Sequence, residues 1–168
     1  MTRRLFFLVA ASMLFIDQFV KAWVRFAANG AEGRTIFVLW PRVFEIKLVF
    51  NEGIAFGMLQ GSGVLLAPIA AIIGIGAAWY SMRHKDESKA THVTMALLCA
   101  GAIGNLIDRV VFNHVTDMFW ISAINFPVFN VADVCITVAG VMLGLSVVID
   151  LVKRPAPKES DPDPIVPE

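Results

Sequence analysis

Charge is what this chain has least of. Only 17% of its 168 residues are Asp, Glu, Lys or Arg, while 57% are apolar; soluble domains run nearer a quarter charged and about half apolar. An ordinary water-soluble globule is a poor fit, and a polytopic membrane protein explains the excess. The formal net charge is zero, so no overall basic field invites nucleic acid, and no nucleic-acid partner is expected. Cysteine is nearly absent: Cys99 and Cys135 both sit inside apolar runs and read as small buried hydrophobes, which excludes a disulfide framework. His84, His92 and His114 are far apart with no ligand spacing, so neither a metal site nor a metal cofactor is expected. No Ser–His or Cys–His pairing is placed to supply a nucleophile.

Four long apolar runs are present. Arg3-Arg4 precedes the first, Leu5 to about Phe26. A basic start, an apolar stretch and Ala27-Ala28 resemble a signal peptide, but the run is too long for an h-region and Asp17 and Lys21 interrupt it. It reads as an uncleaved first span. Asp17 and Lys21 are four apart on one helix face, where they can pair with each other or with a neighbouring helix; a structural ion pair is the expectation. The second run spans about 63–82 and ends in Trp79-Tyr80, an interfacial anchor. The third, about 90–111, is rich in small residues (Ala100-Gly101-Ala102, Gly104) that let helices approach closely in lipid. At its far end Asn105 shares a face with Asp108 and Arg109. The fourth covers about 132–152. Each approaches the roughly 20 residues needed to cross a bilayer.

Residues 29–62 differ. Thr35–Trp40 is β-prone, Pro41-Arg42 reads as a turn, and Phe44-Glu45-Ile46-Lys47-Leu48 alternates apolar and polar like a half-buried strand. The expected fold is therefore mainly α, four transmembrane helices with a small antiparallel β-sheet lying on the membrane surface. The sheet is followed by Phe50-Asn51-Glu52-Gly53-Ile54-Ala55-Phe56-Gly57-Met58. Asn51 and Gly53 suit tight turning and Phe56 and Met58 apolar contact, so the segment is a hairpin loop or a substrate-facing loop. Residues 1–154 form one membrane unit; from Pro155 the Pro-, Asp-, Glu- and Lys-rich tail cannot bury a core and should be disordered.

Basic loop residues cluster on one side: Arg3, Arg4, Arg83, Lys85, Lys89, Lys153, Arg154 and Lys158 against Arg34, Arg42 and Lys47 opposite. The positive-inside rule puts both termini in the cytoplasm. Asp17, Lys21, Asn51, Asn105, Asp108, Arg109, Asp117, Asn130 and Asp133 then all fall at or just beyond the outer ends of the spans. One carboxylate at such a boundary is ordinarily a helix cap or a solvated loop residue. Two converging carboxylates, Asp117 in the loop after the third span and Asp133 in the first turn of the fourth behind the N-cap Asn130, can share a proton and serve as general acid and base. An activated-water hydrolase needs that pair.

The motifs Asp17 with Lys21, Asn51–Gly57, Gly101-Ala102-Ile103-Gly104-Asn105-Leu106-Ile107-Asp108-Arg109, Val115-Thr116-Asp117 and Phe129-Asn130-Val131-Ala132-Asp133-Val134-Cys135-Ile136, in this order and spacing, resemble lipoprotein signal peptidase (signal peptidase II), a bacterial membrane aspartyl peptidase family. The resemblance covers about residues 5–152. It implies that Asp117 and Asp133 are the catalytic dyad, that Asn51, Gly53, Phe56, Asn105, Asp108, Arg109 and Asn130 bind substrate or support the site, and that no cofactor is used. It also implies cleavage of a prolipoprotein before a diacylglyceryl-modified cysteine at the outer face of the bacterial cytoplasmic membrane, contact with membrane lipids, and inhibition by globomycin-type compounds. Ile54 stands where the family usually has a small residue, and Met118 where Phe usually follows the aspartate. A small proton-coupled carrier is the rival expectation, but a carrier places binding groups near the midplane, and the middles of spans two to four carry no charge. A purely structural assembly protein accounts for the small-residue faces but not for the two aspartates.

Overall fold

The computed structural model describes residues 2–53 and 63–153. The expected loop residues Ile54, Phe56 and Met58 and the tail from Pro155 lie outside them. Four helices carry the fold: α1 (Thr2–Ala27), α2 (Gly63–Arg83), α3 (Lys89–Phe112) and α4 (Val131–Lys153). All four are long and apolar enough to cross a membrane. In hydrocarbon a single segment can satisfy its own backbone only as a helix, so length and composition decide the element without an amphipathic period. Large side chains point outward accordingly: Phe15, Phe19, Ile72, Val141 and Leu145 are all well exposed, a lipid-facing surface that water would not tolerate.

Helix α3 is the centre. Half of its apolar window is buried inside the protein, against 11–22% for the other three, and it packs on α1, α2 and α4. Its glycines permit this. A Cβ on Gly101 would stand 2.5 Å from the Ala132 carbonyl oxygen of α4, and one on Gly104 would stand 2.5 Å from Asp17 Oδ2 of α1. The Ser88 side chain caps the start of α3 by accepting from Thr91 N at 3.1 Å. Asn113, left-handed at φ 64°, ends it.

The sheet has strands β1 (Thr35–Trp40), β2 (Phe44–Asn51) and β3 (Val115–Ile121), antiparallel in the order β1-β2-β3. Two strands were expected between 29 and 62; the third comes from the segment after α3. Asp117 therefore sits in a strand, opposite Val49, and not in a loop. Asn51 is the last residue of β2, opposite Val115. The sheet is seated on the bundle by a core of Val24 from α1 and Ala28 just after it with Leu48 and Met118. It lies at the end where α1 and α3 stop and α4 starts, the end to which the polar residues belong.

Candidate active site

The chain between β3 and α4 folds back on the strand. Phe129 O accepts from Met118 N and Phe119 N, and Phe129 N donates to Phe119 O at 3.1 Å. That pairing delivers Asn130 to Asp117, with Asn130 Nδ2 donating to Asp117 Oδ1 at 2.6 Å. From the other side Asn51 Nδ2 donates to Asp117 Oδ2 at 2.9 Å. The Asp117 side chain is almost wholly buried. Burial, with the Asp133 carboxylate adding to it, pushes its carboxyl up to about 7.

Asp133 is the third residue of α4, and its relation to Asn130 is reciprocal. Asn130 Oδ1 accepts from Asp133 N at 2.9 Å, while Asp133 Oδ2 accepts from Asn130 N at 3.2 Å. This is a capping box with Asp in the glutamate position. The remaining oxygen, Oδ1, accepts from Asn105 Nδ2 of α3 at 2.8 Å. Asn130 Nδ2 also reaches Asn105 Oδ1 at 3.2 Å. Two asparagines thus tie both aspartates into one network from three elements, β3, α3 and α4.

Both carboxylates line an open cavity of about 990 Å³. Leu66, Ile69, Ile73 and Val138 of α2 and α4 make an apolar wall, and Lys47, Trp120 and Phe129 lie on the sheet side. Asn51, Gly53, Asn105 and Arg109 also line it. Arg109 donates from Nη2 to Gly53 O at 3.2 Å, pinning the chain just after β2. Phe56 lies outside the described residues. Asp108 is not with them: it faces away from the cavity, fully buried, and accepts from Thr116 N at 2.8 Å.

Asp17 and Lys21 form the expected ion pair, 2.9 Å and buried. The pair does more than close on itself. Asp17 Oδ1 accepts from Ala132 N at 2.8 Å, an amide of the first turn of α4. Lys21 Nζ donates to Asn105 Oδ1 at 2.9 Å and lies 3.5 Å from Asp108. Two residues were not anticipated. Gln18 Nε2 donates to Asp17 Oδ2 and Gly104 O, both at 3.1 Å, and Arg25 donates to Thr116 Oγ1 at 2.7 Å, 3.6 Å from Asp108. Arg25 stands four residues after Lys21, as Lys21 stands four after Asp17, so the helical spacing of the first span held the signal. Among the described residues, no three His, Cys, Asp or Glu side chains assemble into a metal-ligand set.

Fold and site together define a polytopic membrane protein with two asparagine-linked carboxylates, one buried and one half-buried, at the mouth of its bundle. The family model for signal peptidase (SPase) II matches residues 9–149. The lipoprotein signal peptidase of Streptococcus pneumoniae is 37% identical over 129 residues, 76% of this chain and 82% of that one. That of Gloeobacter violaceus is 34% identical over 152 residues, 90% of this chain and 86% of that one. Two solved bacterial membrane enzymes share the fold: one has a TM-score of 0.78 at 29% identity over 93% of this chain and 94% of its own, the other 0.71 at 30% identity over 89% and 94%. The chain belongs to the signal peptidase II family.

Proposed function

We propose that this chain is an aspartic endopeptidase that removes the signal peptide of prolipoproteins by cutting before the diacylglyceryl-modified cysteine, with Asp117 and Asp133 activating water. Family membership supports the coarser part, a membrane-embedded protease of lipoprotein processing. The two-aspartate chemistry rests on one observation: carboxylates from β3 and α4 line one cavity and are joined through Asn130.

Their environments suit different roles. Asp133 stands in the first turn of α4, where the helix dipole and the amides of Asn105 and Asn130 favour a carboxylate. Asp117, its carboxyl raised to about 7, holds a proton near neutrality. Asp133 takes the proton of a water that attacks the scissile carbonyl. Asp117 donates its proton to the carbonyl oxygen, giving a gem-diol; as the carbon–nitrogen bond breaks, Asp133 passes its proton to the leaving amine and a gem-diol hydroxyl returns one to Asp117. Because close carboxylates do not both ionise cheaply, the pair titrates as a unit and activity follows a bell in pH. The acyl chains of the substrate lie against the apolar wall of α2 and α4 and in surrounding lipid, which sets the scissile bond at the membrane surface. Globomycin-type inhibitors would occupy the same cavity. The site faces outward from the bacterial cytoplasmic membrane, with both termini in the cytoplasm.

The experiment is turnover of a lipidated prolipoprotein against pH, for wild type, Asp117→Asn and Asp133→Asn, with and without chelator. Asn keeps size and some hydrogen bonding but cannot shuttle a proton. Each variant should lose at least ~100-fold in rate, the lower range for lost general acid–base help, with little loss of folded protein and no effect of chelator on wild type. Near-normal turnover in either folded variant, or wild-type activity abolished by chelator, sinks the two-aspartate mechanism.

A further inference from the structure

The Asn105 amide has two ways to face, and the site uses only one. Its Nδ2 must point at Asp133 to donate; turned by half a revolution, the same amide would put an oxygen against a carboxylate. What holds it is on the opposite side. Lys21 Nζ donates to Asn105 Oδ1 at 2.9 Å, and Asn130 Nδ2 approaches that oxygen at 3.2 Å. Asn130 Nδ2 gives its shorter bond, 2.6 Å, to Asp117. The ammonium is the firmer anchor, charged and at the shorter distance from Asn105 Oδ1.

Lys21 is fully buried, and its environment accounts for all three of its protons. They meet Asp17 Oδ2 at 2.9 Å, Asn105 Oδ1 at 2.9 Å and Asp108 Oδ2 at 3.5 Å. If it served Asp17 alone, a bond to Asn105 would not be needed: Asp17 also accepts from Ala132 N and Gln18. Asp108 likewise has Thr116 N and Arg25. The bond to Asn105 is the one that leads to the cavity.

We propose that Lys21 is a positioning residue for the dyad: its ammonium fixes the Asn105 amide so that Nδ2 donates to Asp133, and its buried charge eases ionisation of the pair. The proposal rests on the two-aspartate reading. A hydrogen-bonded cation behind a neutral amide polarises it, strengthening the bond on the far side. The charges that face Lys21 or its relay are Asp17 from α1, Asp108 and Arg109 from α3, Asp133 from α4 and Asp117 from β3; Arg25 stands beyond Asp108. Two of them are cations that reach Asn105: Lys21 meets its side-chain oxygen at 2.9 Å, while Arg109 meets only its backbone oxygen, at 3.5 Å, and so does not orient the amide. Removing a buried cation makes nearby carboxylates harder to ionise, so both limbs of the activity bell should move to higher pH.

The test uses the full-length protein in lipid, with Lys21→Met and the neutralised pair Asp17→Asn/Lys21→Met. Turnover of the lipidated prolipoprotein is measured across pH per mole of folded enzyme. Loss of a residue that orients a reacting group through another typically costs about 10- to 100-fold. The expected result is a loss of that size in both folded variants, with the bell displaced upward in Lys21→Met, where Asp17 stays charged; in the double variant the two opposite charges leave together. A double variant with wild-type rate makes Lys21 only the counterion of Asp17 and overturns the proposal. So does a folded Lys21→Met with a lower rate and an unmoved bell. If neither variant folds, Lys21 is assigned to folding, and the proposal fails equally. Asp117→Asn and Asp133→Asn are run alongside. Near-normal turnover in those sinks the dyad itself, whereas their inactivity beside a wild-type-like Lys21 variant removes only the positioning role.

Discussion

Asp117 carries a consequence for stability that is separate from catalysis. An aspartate in an unfolded chain titrates at about 4, whereas here burial and Asp133 raise the carboxyl to about 7. Between those values the folded protein holds a proton that the unfolded chain has released. Stability therefore falls as pH rises through this window: the contribution is fully present below the unfolded value and lost as pH passes the folded one. Asn at this position has no proton to lose. Asp117→Asn also sets an amide against the donors Asn51 Nδ2 and Asn130 Nδ2, which adds a cost, but one that does not vary with pH. The unfolding temperature of the variant in detergent, relative to wild type, should accordingly rise between about pH 5 and about pH 8. A flat or falling difference would show that Asp117 is not the group with the raised value. At this scale much of the candidate site was legible: Asp117, Asp133, Asn51, Asn105, Arg109 and Asn130 all stand out in the sequence and the fold brings them together, and Asn130 as an N-cap follows from its place before an apolar run. Their bonds were not, because which amide hydrogen meets which oxygen depends on three elements meeting in space. Asp108 illustrates the limit. It lies one residue from Arg109, yet one helical step turns it away from the cavity and onto the β3 backbone.

Among the elements, the contact between α3 and α4 governs the geometry of the dyad, since Asn105 on one helix holds Asp133 on the other. Gly101 sets that spacing. An added Cβ would meet the Ala132 carbonyl oxygen at 2.5 Å and Ile136 Cγ1 at 2.7 Å, and the backbone oxygen cannot rotate away. Gly101→Ala must push α4 outward, an overpacking expected to cost about 1–3 kcal/mol, and the displaced first turn should lower turnover further. Gly140→Ala is the control: it lies on α4 with nothing within 4 Å of the added carbon, so it should be neutral or slightly stabilising, as Ala exceeds Gly by roughly 1 kcal/mol in a helix. Thermal unfolding and turnover of both variants check this, and equal behaviour would mean that the helices are not in the close contact described. Helices and the first two strands were readable because span length and period-2 alternation are local. Strand β3 was not. Val115, Thr116, Asp117 and Met118 are buried in succession, so neither face of the strand is turned to solvent, and with Thr116 and Asp117 on opposite faces no alternation marks it. Its pairing with β2 is also a contact across more than sixty residues of sequence.

For the whole molecule, the remaining question is which way it sits in the membrane. The outward apolar side chains of all four helices define a lipid-facing belt, and the sheet with the two aspartates lies at one end of it. At the other end stand Arg3, Arg4, Arg83, Lys85, Lys89 and Lys153, where α1 begins, α2 ends, α3 begins and α4 ends. The sheet end has Arg34, Arg42 and Lys47. Basic loops stay cytoplasmic, which supports the proposed orientation, with the connection between α2 and α3 inside and the sheet outside. The proposed lipidated substrate would need the same orientation, with its acyl chains in the outer leaflet and its mature part continuing into the space beyond. Single cysteines placed by Lys85→Cys, between α2 and α3, and by Glu45→Cys, in β2, test this with a membrane-impermeant thiol reagent on intact cells. The native Cys99 and Cys135 lie within the helices, the second of them buried, and set the background. Glu45→Cys should label on intact cells and Lys85→Cys only after permeabilisation. Labelling of Lys85→Cys but not Glu45→Cys on intact cells would place the carboxylate cavity on the cytoplasmic side, out of reach of an outer-leaflet lipoprotein, and would overturn both the topology and the substrate proposed for the site.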